Sequence, residues 1–401
     1  MISYSKNIRV CGTLDRPRIT NFATGMIIDT GPDSIYQLKD LSNREFIQDC
    51  LHRGILVNRG GSPVFLEEYG SLDRLDDVHI DITNRCNTNC SFCYQSSPDN
   101  QDLPLDLAKS VILQARKLGA ARIALSGGEP FLHPHFNEIV NAVIDEKLIL
   151  TAVFTNALDL PREINLPQHT CLLISYSPAV SRVINLDTIR TVASDRNVVV
   201  STVTVDGQEL DRLYDEFSKL GIWRWRIGVI RPVGGGKNAV VDMPRVIGAY
   251  KKLFYKFMKD YDENRAPFEL QIGFAFQSTF LERGYIDLYP SGSACCMYKN
   301  ESMCVKWNGD VTPCSLDFTK IGTCTDLHSA WSKIVEKSYR SIQSGDIDGC
   351  RDCELLSLCN GGCRACVEDP LVDVDKISCY TYRFLADIIP ELEKRGVESR
   401  I

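Results

Sequence analysis

The sequence predicts an α/β fold built on a parallel sheet, with a small α+β module before it and a cysteine-rich segment after it. Apolar runs typical of strands recur at 78–82, 122–125, 148–154, 171–176, 197–205 and 225–230. Helical patterns lie between several of these runs, and an alternation of strands and helices indicates a parallel sheet. Eleven of the seventeen cysteines lie between residues 295 and 379, which sets the C-terminal segment apart.

Length, charge and composition narrow the class of protein. With 401 residues the chain is long enough for two or three domains, and a hydrophobic content of 44% supports a proper core. The formal net charge is −7, so the basic surface expected of a nucleic-acid-binding protein is missing. Because we find neither a run of about 18 apolar residues nor a signal peptide, we expect a cytoplasmic protein whose cysteines bind metal rather than form disulfides.

The first 75 residues precede the predicted sheet and have a pattern of their own. Two short strands are predicted within residues 25–41, around a turn at 31–33. A helix is predicted over residues 42–53 with Ser42 as its N-cap, and a short apolar strand follows at 54–57. This order is compatible with a small winged-helix module. The alternative is an extension that only caps the sheet.

The most specific motif is CNTNCSFC, which places Cys86, Cys90 and Cys93 in a C-x3-C-x2-C run directly after a predicted strand. A [4Fe–4S] cluster usually takes four cysteines, so three close ligands leave one iron free. The run resembles the signature of the radical SAM enzymes, in which the free iron binds S-adenosylmethionine (SAM). The resemblance implies that an electron from the cluster splits SAM and yields a 5′-deoxyadenosyl radical. A zinc site is the main alternative, but zinc usually takes four ligands in two C-x2-C pairs.

A GGEP segment at residues 127–130 follows the next predicted strand. Two glycines let the backbone approach a ligand closely. The segment resembles the motif that holds the methionyl amino group of SAM in the same family, and we expect Glu129 to accept a hydrogen bond from that ammonium. Strand ends also contact the cofactor in the family. By resemblance, the cofactor-binding residues are Phe92, Gly127, Gly128, Glu129, Pro130, Thr155, Asn156 and Ser175.

The C-terminal cysteines form a second pattern, C-x2-C-x5-C-x3-C over residues 350–363, with further cysteines on both sides. This order resembles the SPASM domain, which binds two more [4Fe–4S] clusters in many radical SAM enzymes. The resemblance implies an outer cluster held by Cys350, Cys353, Cys359 and Cys379, and an inner cluster held by Cys296, Cys314 and Cys363. For the fourth inner ligand we favour Cys304, which lies in a predicted hairpin with its turn at residues 307–310; Cys295 or a position open to substrate are the alternatives. Two structural zinc sites are the alternative to both clusters.

Together these resemblances imply a partial (β/α)6 radical SAM barrel with a winged-helix-like (RRE-like) module before it and a SPASM domain after it. The predicted boundaries are 1–75 for a leader-recognition module, 76–290 for the barrel, 291–390 for the SPASM domain and 391–401 for a tail. Barrel active sites lie at the C-terminal ends of the strands, where both motifs fall. The PVGGG run at residues 232–236 follows the sixth strand and is predicted to form a flexible loop at that end.

By resemblance, the predicted function is that of a radical SAM peptide maturase. Its radical would abstract a hydrogen from a residue of a ribosomally made precursor peptide, which would then form a carbon–carbon or thioether crosslink. The implied partners are the precursor with its leader and a reductant such as flavodoxin or ferredoxin, with no nucleic acid and no membrane. The sequence does not identify the proton acceptor. The alternatives are sulfatase-type formylglycine formation, peptide epimerisation, dehydrogenation of a small molecule, and a zinc-binding interaction protein.

Overall fold

A computed structural model of the chain describes residues 3–4, 7–12, 17–31, 33–34, 37, 43–57, 66–67, 75–95, 100–179, 181–273, 275–286, 302–336, 344–370 and 372–399. The strands are β1 Ser3–Tyr4, β2 Ile8–Gly12, β3 Pro17–Asn21, β4 Met26–Asp29, β5 Leu56–Val57, β6 Leu66–Glu67, β7 Asp77–Thr83, β8 Arg122–Gly127, β9 Ile149–Thr155, β10 Cys171–Ser175, β11 Val198–Thr204, β12 Arg224–Val229, β13 Glu269–Ile272, β14 Phe276–Gln277, β15 Tyr285–Ile286, β16 Ser302–Val305, β17 Asp310–Thr312, β18 Gly322–Thr323 and β19 Glu398–Ser399. The helices are α1 Arg44–His52, α2 Leu105–Lys117, α3 Phe136–Asp145, α4 Leu186–Ala193, α5 Leu210–Phe217, α6 Met243–Asp262, α7 Thr279–Arg283, α8 Leu327–Glu336, α9 Leu356–Cys359 and α10 Lys376–Glu393. None of the helices in these ranges is long and apolar enough to cross a bilayer.

An eleven-stranded sheet forms the centre of the molecule, in the order β14-β13-β12-β11-β10-β9-β8-β7-β16-β17-β18. From β7 to β13 every strand pairs in parallel with the next. All six predicted strands form, and their ends lie within two residues of the predicted ones. The structure therefore confirms the α/β fold and its parallel sheet.

The parallel sheet is covered by helices whose apolar faces follow the helical period. On α3 the buried residues Phe136, Ile139, Val140 and Val143 fall on one face. On β7 the alternating Val78, Ile80 and Ile82 are at most 1% exposed and pack in the same core. Burying one such side chain contributes about 1.5–3 kcal/mol, so this layer fixes the positions of the strand ends that build the site.

The C-terminal segment continues the barrel sheet instead of forming a separate layer. Strand β16 pairs in parallel with β7, from Ser302 opposite Asp77 to Val305 opposite Ile80. Strands β16 and β17 form an antiparallel hairpin, as predicted, and Gly309 takes the positive φ of 83° that its turn requires. The predicted boundary at residue 291 thus separates two parts of the chain that share one sheet.

The N-terminal module differs from its prediction in three details. Residues 33, 34 and 37 are helical where the end of a turn and a second strand were predicted, because Pro, Asp and Ser at 32–34 are residues that begin helices. The N-cap of α1 is Asn43 and not Ser42, since the Asn43 side chain accepts from the backbone N–H of Phe46 at 3.1 Å. Three strands that were not predicted, β2, β3 and β6, join β4 in a sheet of order β4-β3-β2-β6.

Two buried arginines attach this module to the barrel. Arg9 donates to the carbonyl oxygen of Ala120 at 2.6 Å, at the start of β8. Arg18 pairs with Asp76 at 2.6 Å, just before β7, and both side chains are at most 10% exposed. The module therefore packs at the N-terminal ends of the barrel strands, opposite the end where the cysteine loop lies.

Candidate active site

A cavity of about 170 Å³ lies at the C-terminal ends of β7 to β10. It is lined by residues of the cysteine loop, the GGEP segment and the ends of β9 and β10, namely Asn84, Cys86, Thr88, Asn89, Cys90, Phe92, Cys93, Tyr94, Gln95, Ser126, Gly127, Gly128, Phe154, Thr155, Asn156 and Ser175. Nine of the eleven residues predicted for the first cluster and for SAM are in this lining. Glu129 and Pro130 are the two that are not.

The cysteine loop starts where β7 ends, and hydrogen bonds hold its base. The Thr83 hydroxyl donates to Asp102 at 2.7 Å and accepts from the backbone N–H of Arg85 at 3.0 Å. The three thiols of the loop are partly exposed, so a ligand in the cavity can reach them. Burial raises the pKa of the Cys93 thiol. A metal would have to displace that proton, since thiolate is the ligating form.

The two glycines of the GGEP segment pack directly against the cysteine loop. The Gly128 N–H donates to the backbone carbonyl oxygen of Thr83 at 2.7 Å. The Glu129 N–H donates to the backbone carbonyl oxygen of Arg85, also at 2.7 Å. A Cβ on Gly127 would lie 2.0 Å from the Thr83 oxygen, and one on Gly128 would lie 2.0 Å from the Arg85 oxygen. Glycine is therefore required at both positions to bring the two loops together.

Glu129 supports the pocket from behind. Its side chain is 1% exposed, and its carboxylate accepts from the Thr155 hydroxyl and the Asn156 N–H, both at 2.8 Å, and from the Phe131 N–H at 3.3 Å. Burial raises the pKa of Glu129 to about 7, although the hydrogen bonds from these three donors act to lower it. The predicted contact of Glu129 with a bound ammonium stays a prediction, and within the protein its carboxylate accepts from the end of β9 and from Phe131. Pro130 is also buried, at the start of a 3-10 turn over Pro130–Leu132.

Asn156 connects the end of β9 to the cysteine loop. Its side-chain amide donates to Asn87 at 2.6 Å and lies 3.8 Å from the Cys86 sulfur. Asn87 in turn donates to Asp159 at 2.7 Å. Glu129, Asn156 and the cysteine loop therefore form one connected support, and Ser175 projects exposed from the next strand end.

Sequence reasoning missed a buried polar group next to the cavity. Asp81 on β7 is 0% exposed, and Lys306 Nζ lies 3.2 Å from its Oδ2 atom. The Tyr94 hydroxyl donates to Asp81 at 3.1 Å. Burial acts to raise the pKa of Asp81, but Lys306 and His79, whose Nε2 atom lies 3.3 Å from Oδ1, together hold the pKa below its usual value. The signal in the sequence was Asp81 itself, a charged residue on the face of β7 opposite Val78, Ile80 and Ile82. In a parallel sheet both faces of a strand are usually buried.

The four cysteines predicted for the outer cluster lie near one another. Burial and the neighbouring thiolates of Cys359, Cys350 and Cys353 raise the pKa of Cys379 to about 11. Cys350 and Cys359 are buried, whereas Cys353 is exposed. The arrangement therefore has a side that is open to solvent.

Of the inner set, the structure describes Cys304, Cys314 and Cys363, whereas Cys295 and Cys296 lie outside the described residues. Burial and the thiolate of Cys363 raise the pKa of Cys314 to about 12. A hydrogen bond from Cys366, which has no predicted role, lowers the pKa of Cys363 to about 7.

In the described ranges no three Cys, His, Asp or Glu side chains converge as the ligands of a single metal ion. In a [4Fe–4S] cluster each cysteine binds a different iron. The three thiols of the cysteine loop border an open cavity and supply donors of the type that such a cluster needs.

The cavity lies at the C-terminal ends of the parallel strands, which is where the active sites of barrel enzymes lie. Residues 80–229 match the family described as the Radical SAM superfamily. The chain therefore contains a radical SAM domain, which implies a [4Fe–4S] cluster and SAM.

Curated relatives resemble the chain over a limited part of its length. It is 30% identical over 94 residues to the GTP 3′,8-cyclase of Chlorobaculum tepidum, which covers 23% of this chain and 28% of that protein. It is also 30% identical over 84 residues to a probable GTP 3′,8-cyclase of Methanosarcina mazei, covering 19% and 25%. The chain thus spans about a quarter of the length of these relatives.

Two solved structures share the fold over most of the chain. SuiB of Streptococcus suis, bound to the precursor peptide SuiA, covers 94% of this chain and 100% of its own, with a TM-score of 0.66 and 14% identity. A structure of anSMEcpe with bound AdoMet and a peptide covers 81% of this chain and 99% of its own, with a TM-score of 0.61 and 15% identity. At these identities the likeness is one of fold.

Proposed function

We propose that the protein is a radical SAM peptide maturase that crosslinks a ribosomally made precursor peptide. The observation that carries the proposal is the cavity in which Cys86, Cys90 and Cys93 meet the two glycines of the GGEP segment at the end of a parallel barrel. The radical SAM match over residues 80–229 supports the chemistry. The peptide substrate is supported by the likeness of fold to SuiB, which was solved with its precursor peptide.

In this proposal the three loop cysteines hold a [4Fe–4S] cluster, and the rest of the lining holds SAM. Once bound, the two supply a 5′-deoxyadenosyl radical. Gly127 and Gly128 leave the backbone open to the methionyl end of SAM, and Asn156 and Ser175 offer polar groups from the next strand ends. Glu129 keeps Thr155 and Asn156 in position from behind.

The C-terminal cysteines are proposed to hold two further clusters. Closing a crosslink releases an electron, and clusters at these cysteines would provide an acceptor for it. The outer cluster would be held by Cys350, Cys353, Cys359 and Cys379. This assignment is supported by the closeness of the first three thiols to Cys379, whose pKa they raise. The inner set is Cys296, Cys314 and Cys363, with Cys304, Cys295 or an open position as the fourth site.

Residues 1–75 are proposed to bind the leader of the precursor. In the described part of the module, β4 pairs only with β3, so one edge of β4 is available for another strand. An extended peptide that adds to such an edge gains backbone hydrogen bonds without needing a deep pocket. A flavodoxin or ferredoxin is proposed as the reductant, and the cytoplasm as the location.

The test uses anaerobically reconstituted protein with SAM, dithionite and the peptide encoded by a short reading frame next to the gene. We expect 5′-deoxyadenosine from the wild type, a crosslinked peptide lighter by a pair of hydrogen atoms, and binding of the isolated leader but not of the isolated core. Replacing Cys86, Cys90 and Cys93 together by alanine should abolish 5′-deoxyadenosine and leave the C-terminal iron in place.

Four results would count against the proposal in different ways. 5′-Deoxyadenosine from the triple variant would show that the cluster is elsewhere. Zinc without acid-labile sulfide, instead of about twelve irons for three clusters, would favour the zinc-binding interaction protein. An oxidised small molecule with no change in the peptide would favour the dehydrogenase alternative, and a peptide of unchanged mass with an inverted residue would favour epimerisation.

A further inference from the structure

A buried polar network joins the wall of the cofactor cavity to the C-terminal cysteine segment. Its centre is the fully buried Asp81 on β7. One oxygen of Asp81 faces the ammonium of Lys306 at 3.2 Å, and the other accepts from the hydroxyl of Tyr94 at 3.1 Å. Lys306 follows β16 directly, and Tyr94 follows the third cysteine of the loop. Three segments that are distant in sequence therefore meet at one carboxylate.

On the cavity side, the network includes residues of the lining itself. The Tyr94 hydroxyl lies 3.3 Å from the hydroxyl of Ser126 and accepts from the Gln95 amide at 3.3 Å. Tyr94, Gln95 and Ser126 all line the cavity. A shift of the Tyr94 ring would therefore change the shape of the cavity wall.

On the C-terminal side, the network reaches the segment around Cys314. The Lys306 ammonium donates to the carbonyl oxygen of Ser315 at 2.8 Å. It also lies over the aromatic rings of Tyr94 and Phe318, at 5.3 and 4.5 Å from the ring centres. Cation–π contacts gain strength when they are desolvated. The Lys306 side chain is 3% exposed, whereas the Phe318 ring is exposed. One cation thus binds both the cysteine loop and the C-terminal hairpin.

We propose that Lys306 and Asp81 are positioning residues for the SAM pocket. Through Tyr94 they hold the end of the cysteine loop against the C-terminal hairpin, so that a residue of the cysteine-rich segment determines the shape of the pocket. This role rests on the proposed function, because it assumes that SAM occupies the cavity. The C-terminal segment then contributes to SAM binding in addition to any cluster that it holds.

The test measures SAM affinity in the reconstituted full-length protein, by equilibrium dialysis and by the change in the electron paramagnetic resonance spectrum of the reduced cluster when SAM is added. Lys306→Met should weaken SAM binding by about 2- to 30-fold, the range found for residues that act through a packed network. Lys306→Arg keeps the charge and should retain more affinity. Lys320→Met is the matched control, because Lys320 lies in the same part of the chain but pairs with Asp310 at the surface.

A double variant, Asp81→Leu with Lys306→Met, separates positioning from fold stability. Apolar residues can replace both members of a buried pair without loss of stability, whereas removing one member leaves an unpaired buried charge. We expect the double variant to melt near the wild-type temperature while SAM binding stays weak. If Lys306→Met does not fold, the double variant supplies the affinity measurement.

The outcomes distinguish this inference from the function on which it rests. A wild-type protein that does not bind SAM would overturn the proposed function itself. If the wild type binds SAM and Lys306→Met, or the double variant, binds it equally well with the same spectrum, the pair only supports the fold and the positioning role is wrong.

Discussion

The triglycine turn after β12 provides a sharp test of how the cysteine loop is held. The turn, a 3-10 segment over Gly234–Asn238, packs on the end of that loop. The N–H of Gly235 donates to the carbonyl oxygen of Cys93 at 2.8 Å. A Cβ on Gly234 would lie 2.2 Å from the Tyr94 carbonyl oxygen, and the φ of Gly234 is +53°. The PVGGG run was predicted to be a flexible loop, but in the structure it packs against the end of the cysteine loop and donates a hydrogen bond to it.

The expected cost of Gly234→Ala has two parts. An alanine at positive φ costs about 1–2 kcal/mol. The contact with a backbone oxygen cannot be relieved by a side-chain rotation, and such overpacking adds about 1–3 kcal/mol. We therefore expect a loss of about 2–5 kcal/mol in the free energy of unfolding, measured by urea denaturation of the metal-free protein.

Two other glycines supply matched controls. Gly221 also has a positive φ, +72°, but a Cβ there would meet no atom within 4 Å, so Gly221→Ala should show the backbone cost alone. A Cβ on Gly248, within α6, would also meet no atom within 4 Å, and Gly248→Ala should stabilise the protein by about 0.5–1 kcal/mol. Only Gly234→Ala should also weaken SAM binding. An equal loss of stability for Gly234→Ala and Gly221→Ala would show that the turn at Gly234 does not pack tightly on the cysteine loop.

Two further predictions concern buried charges. The pKa of Glu129 is 4.5 in the unfolded reference and about 7 in the folded protein, so the unfolded chain loses its proton first as the pH rises. Stability should therefore fall by about 3 kcal/mol between about pH 4.5 and 7, and Glu129→Gln should remove this fall in urea titrations; parallel pH profiles would contradict it. Arg231 pairs with Asp375 at 3.1 Å, with 14% and 3% of the side chains exposed, so Arg231→Met should cost about 3–5 kcal/mol. Arg351→Met, which breaks a pair 62% and 70% exposed, should cost less than about 1 kcal/mol, and equal costs in urea denaturation would disprove the difference.

The sequence alone was sufficient for the features that depend on local pattern. Strands such as β8 and β11 were predictable because their apolar runs reflect burial of the strand itself. The cysteine loop and the GGEP segment were predictable because each is a continuous motif at a strand end. Parallel strands bring those ends to one edge of the sheet, so the meeting of the two motifs followed from the fold class.

Tertiary structure decided the roles that depend on distant neighbours. The carboxylate of Glu129 accepts hydrogen bonds from Thr155 and Asn156, 26 and 27 residues further on. The pairing of Asp81 with Lys306 joins residues 225 positions apart. Neither contact has a local sequence signal, because both depend on which strands lie side by side and in what register.

The cysteine-rich segment has features that local sequence predicts and one that only tertiary packing determines. Its resemblance to the SPASM pattern predicts which thiols share a cluster, and this grouping stays a prediction. Cys379 lies close enough to Cys350, Cys353 and Cys359 for their charges to raise its pKa. That its first hairpin would continue the barrel sheet beside β7 was not predictable, because the pairing of β16 with β7 joins residues more than 200 positions apart. Local periodicity encodes which face of a strand is buried, whereas the neighbour of that strand is set by the packing of the whole chain.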